Sequence, residues 1–466
     1  MTRKQRISNS DEQKKYALVL GGGIAGLLTA RVLSKHFERV TIIEKDPLDQ
    51  GNAPRKSVPQ GHQLHLVLAR GLQIMERYLP GLTTELEAGG AVVSNDVALD
   101  LCWFSNGGYR PQVPTGLKSV MLTRSFLENA IRRRVSALPQ IDIVDGTKVT
   151  GLCSTLDRSR VTGVRLAGQP VRELRADLVI DTTGRGSKNL EWLDELGYAK
   201  PKIEEVGINI RYATRLYHRP KAFRKLIVVG NQPPHQTRYG VVIPVEADRF
   251  MVTLNGRGDQ IPPTDEAGFK AYAQSLLTQD ITDVLTTAEP ISPVMIYNIP
   301  KTRWYHYEKL THFPSGYLVL GDAICQLNPI YGQGMTSAAM QVEVLDKMLA
   351  KRPLSDNFWQ PYFKQIAKVV GIPWQMTSRE DFRFPQTEGT PQKMPGLAAI
   401  YVDKLTQTIN HDPVVFTTFF NVIHLMKPPT ALLHPRIVWR VLFPKGKRIG
   451  FLSSVLQRLQ KPFAKI

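Results

Sequence analysis

The sequence predicts an α/β fold in which a Rossmann-like nucleotide-binding domain is interleaved with a second β-sheet and followed by a helical C-terminal region. Three observations predict it. Residues 16–46 read as strand, glycine loop, helix and strand ending in an acid. Residues 316–340 contain a second glycine-rich passage from strand to helix, and the apolar runs between the two are short and bounded by Gly, Pro and Asn. A chain of 466 residues, 42% hydrophobic and 22% charged, is long enough for two connected domains with a large core. The expected division is a nucleotide-binding domain at 14–190 and 306–350, a sheet domain at 191–305, and a helical region at 351–466 ending in a basic tail. No internal repeat or low-complexity segment interrupts it.

In the first element, YALVLGGGIAGLLTARVLSKHFERVTIIEKD, the glycines Gly21, Gly23 and Gly26 stand in G-x-G-x-x-G spacing. Gly21 lets the strand turn tightly, Gly23 lets the backbone approach a pyrophosphate, and Gly26 lets the helix press close to the sheet. Ile24 and Ala25 open that helix, whose amides and positive dipole end face the two phosphates. Leu27, Ala30, Val32 and Leu33 give it a buried face. Glu44 follows Gly26 by 18 residues, at the end of the second strand, with Lys45 beside it. Its carboxylate suits ribose hydroxyls and repels a 2′-phosphate, which argues against NADP in this site and leaves FAD or NAD.

The second element, GYLVLGDAICQLNPIYGQGMTSAAM, is a strand, a turn at Gly321 and Asp322, a loop, and a small-residue helix from about Gly334. Such a junction is superfluous for NAD, whereas FAD needs a site for its ribityl chain and isoalloxazine ring. At these residues the chain resembles the group A FAD-dependent monooxygenases, the family related to para-hydroxybenzoate hydroxylase, and more closely a squalene-epoxidase-like and polyether-epoxidase-like branch. The resemblance covers most of the chain and implies a GR2-type FAD-binding domain. It implies that Asp322 holds a ribityl hydroxyl, that Pro329 lies beside the flavin ring, and that the backbone of Gly332, Gly334 and Met335 faces the pyrimidine edge. A helix N-terminus suits that edge because reduced flavin is negative there, and glycines let the ring reach the backbone. The segment MLTRSFLENAIRRRV is similar to the family's arginine-bearing helix start and points to Arg124 at the phosphates or ribityl chain; Arg132, Arg133 and Arg134 read as a solvated face. PRKSVPQGHQLHLVLARGL resembles the segment after the ribose-binding acid and brings Arg55 to the adenosine or pyrophosphate half. ADLVIDTTGRGS stands where the family has a middle Asp-Gly motif, but Thr182 and Thr183 intervene, and Asp181 is assigned no cofactor role.

The same resemblance implies an activity. NADPH or NADH docks transiently and reduces FAD, O2 adds to the reduced ring, and the hydroperoxide delivers one oxygen by hydroxylation or epoxidation to a lipophilic small-molecule substrate of secondary metabolism. A reductase or dehydrogenase of isoprenoid-type double bonds shares the fold and much of the motif set. A redox-controlled flavin-binding protein that turns nothing over is the rival from outside enzymology. A flavin halogenase is disfavoured because none of the six Trp residues is spaced two from another. No catalytic acid or base is assigned: His62 and His65 have no orienting partner in the sequence, and the flavin carries the chemistry. The strands GINIRYATRLY, KLIVVG, RYGVVIPVEADRFMVTLNG and ISPVMIYNIP are expected to roof the substrate pocket, with Tyr212, Met251 and Met295 as candidate lining. MTSREDFRFPQTEGTPQKMPG is expected to be a long loop serving as lid or pocket edge.

Cys102, Cys153 and Cys325 lack the spacing of a zinc site or redox dithiol, so no metal is expected and the thiols read as reduced and intracellular. The polar N-terminus and the lack of a long apolar window place the chain in the cytoplasm. The net charge is +19, and residues 427–466 carry nine Lys and Arg with no Asp or Glu. Interleaved apolar residues there favour an interfacial segment at an anionic membrane over a nucleic-acid groove. A helix pair that packs its apolar face on the core and solvates its basic face is preferred to either.

Overall fold

A computed structural model describes residues 15–48, 51, 55, 61, 63–391 and 395–444; most of the N-terminal segment, His62 and the tail beyond residue 444 lie outside the described residues. The strand Tyr16–Leu20 is the centre of a five-stranded parallel sheet. Its order is Tyr317–Val319, Leu178–Asp181, Tyr16–Leu20, Arg39–Ile43, Ile141–Val144. Continuous apolar runs such as ALVL fit strands buried on both faces. The helix Ile24–Leu33 covers the sheet, and the helix Gly334–Lys351 packs against that helix. The expected α/β architecture is therefore present, and both glycine passages end at the same side of one sheet.

The second sheet has nine strands. Along its main path the order is Cys325–Gln326, Met295–His306, Lys202–His218, Arg249–Arg257, Tyr239–Val245, Leu226–Val229, Leu101–Ser105 and Gly108–Tyr109. Residues 101–109 join through a parallel pairing of Leu101 with Leu226, far away in sequence. Side-chain alternation gives the sheet two different faces. Ile227, Val229 and Val242 meet Phe269, Ile281 and Leu285 from the helices Glu266–Gln274 and Asp280–Thr287. Leu226, Val228, Val241 and Ile243 turn the other way and share a cluster with Leu405, Ile409, Phe416 and Phe420 of the C-terminal helices.

Those C-terminal helices are Trp359–Asp381, Gly396–Thr408, Pro413–Ile423 and Pro435–Leu442. The expected long loop over 376–396 is corrected: residues 376–381 finish a helix, and Glu388–Gly389 pairs with the strand Lys202–His218. The last described helix buries Ile437 and Val441, as the packed-helix reading of the tail expects, but leaves Trp439 exposed, which that reading does not expect. No helix among the described residues is long and apolar enough to cross a membrane. The arginine run is also corrected. Arg133 is exposed as expected, but Arg132 and Arg134 are half-buried, and Arg133 and Arg134 both clasp Glu85 on the neighbouring helix Leu82–Ala88.

Candidate functional site

Both glycine passages open onto one cavity of about 1630 Å³. Gly21, Gly23, Ile24 and Ala25 line one end, together with Glu44, Lys45, Arg55 and Arg124. Gly21 turns the strand at a φ of +99°, a conformation side chains resist. Gly26 lies behind the wall, where a Cβ would come 1.9 Å from the Gly21 carbonyl oxygen, so only glycine lets the helix sit this close.

Charge at this end is densely coupled. Glu44 accepts the Gly22 amide at 2.7 Å and the Asp46 amide at 3.0 Å, and lies 2.9 Å from Arg55 Nη1. Arg55 Nη2 is 2.8 Å from Glu128. Burial opposes the Arg55 charge, but Glu128 and Glu44 outweigh it and raise its pKa. Arg55 Nη2 and Arg124 Nη2 both overhang Gly23, 3.7 and 3.8 Å from where a Cβ would stand. Arg124 Nε is 3.8 Å from Glu128 and is a buried donor without a hydrogen-bond acceptor.

Further along, Asp322 projects from the turn Gly321–Ala323 and lies 3.7 Å from Arg185 Nε. Arg185 also donates to the Leu327 carbonyl at 3.0 Å. The next loop carries Pro329 and Gly332 to the helix start at Gly334 and Met335, all on the cavity wall. It is held from beneath. Asn328 Nδ2 and the Tyr331 hydroxyl donate to Asp381 at 2.9 and 3.0 Å, and Arg257 pairs with the same carboxylate at 2.5 Å. Gln333 donates to the Ile423 carbonyl, while its buried Oε1 has no donor.

The remaining wall is apolar. Leu226, Val228, Tyr239, Val241 and Ile243 of the large sheet face Leu405, Ile409, Phe420 and Val422 of the helices, and Met376, Thr377, Arg379, Glu380 and Arg383 form an edge. The expected pocket residues are corrected: Tyr212, Met251 and Met295 do not line this cavity. Tyr212 is buried with its hydroxyl 3.4 Å from Asn328, and Met251 is a core residue. Alternation separates the two faces of a strand without saying which face meets the cavity. Asp181 shapes its own turn by accepting from the Thr183 amide at 2.8 Å and the Ser187 hydroxyl at 2.5 Å.

His65 is on the wall, its Nδ1 donating to the Gln63 carbonyl at 2.7 Å. Burial and the Arg124 charge push its pKa down to about 3. His424, unnoticed in the sequence, accepts the Ala69 amide at 3.2 Å, and burial pushes it down to about 3 as well. Trp103, Arg110, Arg185, Tyr297 and Gln333 also line the cavity. Of these, Gln333 lies inside the glycine run 332–335 and Arg185 inside the GRG turn, while nothing in the sequence points to Trp103, Arg110 or Tyr297.

The site fits FAD. A glycine cradle overhung by two arginines, an unpartnered buried donor on Arg124 and an unpartnered buried acceptor on Gln333 lie along one long cavity. These features define a dinucleotide-binding flavoprotein fold. The FAD binding domain family matches residues 14–353, and the chain belongs to that family. Protein Rv3254 of Mycobacterium tuberculosis is 32% identical over 393 residues, covering 81% of this chain and 82% of that one. Kynurenine 3-monooxygenase of Salinispora tropica is 24% identical over 362 residues, covering 74% of each. Among solved structures, Pseudomonas aeruginosa PqsL in complex with 2-aminobenzoylacetate aligns with a TM-score of 0.60 at 17% identity, covering 79% of this chain and 97% of that one. The p-nitrophenol 4-monooxygenase PnpA of Pseudomonas putida aligns with a TM-score of 0.59 at 18% identity, covering 88% and 98%. At these identities the structural likeness is one of fold.

Proposed function

We propose that this protein is an FAD-dependent monooxygenase that uses NADPH or NADH and O2 to place one oxygen atom on a lipophilic organic substrate. The observation that carries the reading is the continuity of the cavity, from the glycine cradle through Asp322 and the residue 332–335 backbone to an apolar chamber. The kinship with kynurenine 3-monooxygenase supports hydroxylation. Epoxidation, as in the squalene-epoxidase-like branch, and a place in secondary metabolism are the alternatives within this reading.

When bound, FAD supplies electron transfer from the nicotinamide and the activation of O2. The chain's part is binding, orientation and exclusion of water. Gly21, Gly23, Ile24 and Ala25 present backbone to the pyrophosphate, and Arg124, tethered only loosely by Glu128, supplies positive charge there. Arg55 holds Glu44 in place, and Glu44 and Lys45 take the adenosine end. Asp322 would accept from the ribityl chain. The amides at Gly332, Gly334 and Met335 would hold the pyrimidine edge, and Pro329 would pack beside the ring. Leu226, Val228, Val241 and Ile243 keep the chamber dry.

Substrate-stimulated oxidation of NADPH or NADH in air by the FAD-loaded protein tests this. Anaerobic reduction of an alkene, with the substrate gaining two hydrogens, would instead establish the reductase and sink the monooxygenase. Membrane contact is supported by exposed Leu433, Trp439 and Arg436 beside the last described helix. Full-length protein is expected to sediment with phosphatidylserine vesicles and not with neutral ones; equal recovery from both contradicts it.

A further inference from the structure

Arg110 is 6% exposed and lines the cavity, yet it has no carboxylate within ion-pair distance among the described residues. Other buried arginines do: Arg55 faces Glu44 and Glu128, and Arg257 faces Asp381. An unpaired buried cation is costly, so a fold that keeps one generally supplies its partner from elsewhere.

The surroundings describe that partner. Arg110 Nη1 donates to Asn410 Oδ1 at 2.6 Å, a neutral acceptor. Asn410 is itself fixed, its amide donating to the Ser105 and Asn106 carbonyls at 3.2 Å each. Arg110 Nε has no acceptor, and neither does the buried indole nitrogen of Trp103. The guanidinium lies 5.0 Å from the Trp103 ring centre and 5.7 Å from that of Phe419. Glu380, whose charge acts on it, is engaged by Arg383 at 2.9 Å. Burial lowers the Arg110 pKa to about 10, which leaves it charged at neutral pH.

We infer that Arg110 anchors a carboxylate carried by the substrate, so that the molecule oxidised is an aromatic or apolar acid. A planar guanidinium fork matches a planar carboxylate, and the two flanking rings suit an apolar scaffold attached to it. The inference rests on the monooxygenase reading only in taking this chamber as the substrate chamber. Its test is therefore one of binding.

Benzoate, naphthoate and phenylhexanoate, each paired with its methyl ester, are titrated calorimetrically into the full-length protein. Wild type, Arg110→Met and Arg110→Lys are compared, and flavin content is read beforehand by absorbance. We expect at least one carboxylate to bind wild type about tenfold or more tightly than its ester. The preference should collapse in Arg110→Met and survive in part in Arg110→Lys, and Arg110→Met should leave Tm little changed, since relief of the unpaired buried charge offsets the lost hydrogen bond to Asn410. The inference is overturned if no carboxylate outbinds its ester, if the preference survives in Arg110→Met, or if chloride or inorganic phosphate displaces the bound acid at equal concentration. A colourless protein counts against the FAD reading alone, because calorimetry decides the carboxylate question without the flavin.

Discussion

Asp381 gathers three side chains onto one carboxylate: Arg257 from the large sheet, and Asn328 and Tyr331 from the loop that carries Pro329. Replacing it with Ala leaves the Arg257 charge buried and unpaired, and should cost roughly 3–5 kcal/mol of stability. Denaturant unfolding measures this, and an unchanged midpoint would contradict the assigned role. Two histidines, His65 on the cavity wall and the buried His424, set a pH dependence whose sign follows from their direction of shift. Unfolded, each titrates near 6.5; folded, each is held at about 3. Between those values the unfolded chain takes up protons that the folded chain refuses, so stability falls as pH drops below 6.5 and the loss is complete near pH 3. For His424 the loss between pH 7 and pH 5 is about 2 kcal/mol. His424→Asn, which keeps an acceptor for the Ala69 amide, should flatten the stability profile by that amount; parallel profiles would contradict the buried neutral state. At this scale the sequence was legible where residue type and local spacing decide, as for Gly21 and Glu44, while Asp322 was pointed to only by the family resemblance; all three stand on the cavity wall. It was silent on Arg110, whose meaning lies in partners it lacks.

The helix Ile24–Leu33 stands against its strand only because Gly26 has no side chain. In Gly26→Ala the new methyl meets the Gly21 carbonyl and the Thr182 hydroxyl, so the helix start must move away from the phosphate cradle. We predict that this variant purifies with much less bound flavin and an FAD affinity at least about tenfold weaker; full flavin content at wild-type affinity would show the contact to be tolerated. Elements whose signal is local are legible in the sequence, including the first strand–helix–strand unit and most of the strand Lys202–His218, whereas the run 238–256 divides into the two strands Tyr239–Val245 and Arg249–Arg257. The hairpin at 101–109 was not, because its membership in the large sheet depends on pairing with Leu226–Val229 more than a hundred residues away. The helices Glu266–Gln274 and Asp280–Thr287 are too short for periodicity to announce them, and they fix which sheet face is core and which is cavity. That is why Tyr212, Met251 and Met295 were misplaced.

Across the whole molecule, the parallel sheet builds one half of a cavity and the large sheet with its helical cap builds the other. Neither half alone makes a chamber. One end carries charge and backbone amides suited to a diphosphate, and the other is apolar apart from an edge of charged side chains and a single buried guanidinium without a carboxylate partner among the described residues. On the proposed function, such polarity would order the reaction in space, keeping the cofactor's charged tail far from an apolar substrate. The measurement that tests this most directly is turnover under isotopically labelled dioxygen, with the FAD-loaded protein, NADPH or NADH and a panel of aromatic and polyene acids. We predict a product that gains one oxygen atom carrying the label. A product that gains hydrogen without oxygen, or an oxygen drawn from water, would contradict it.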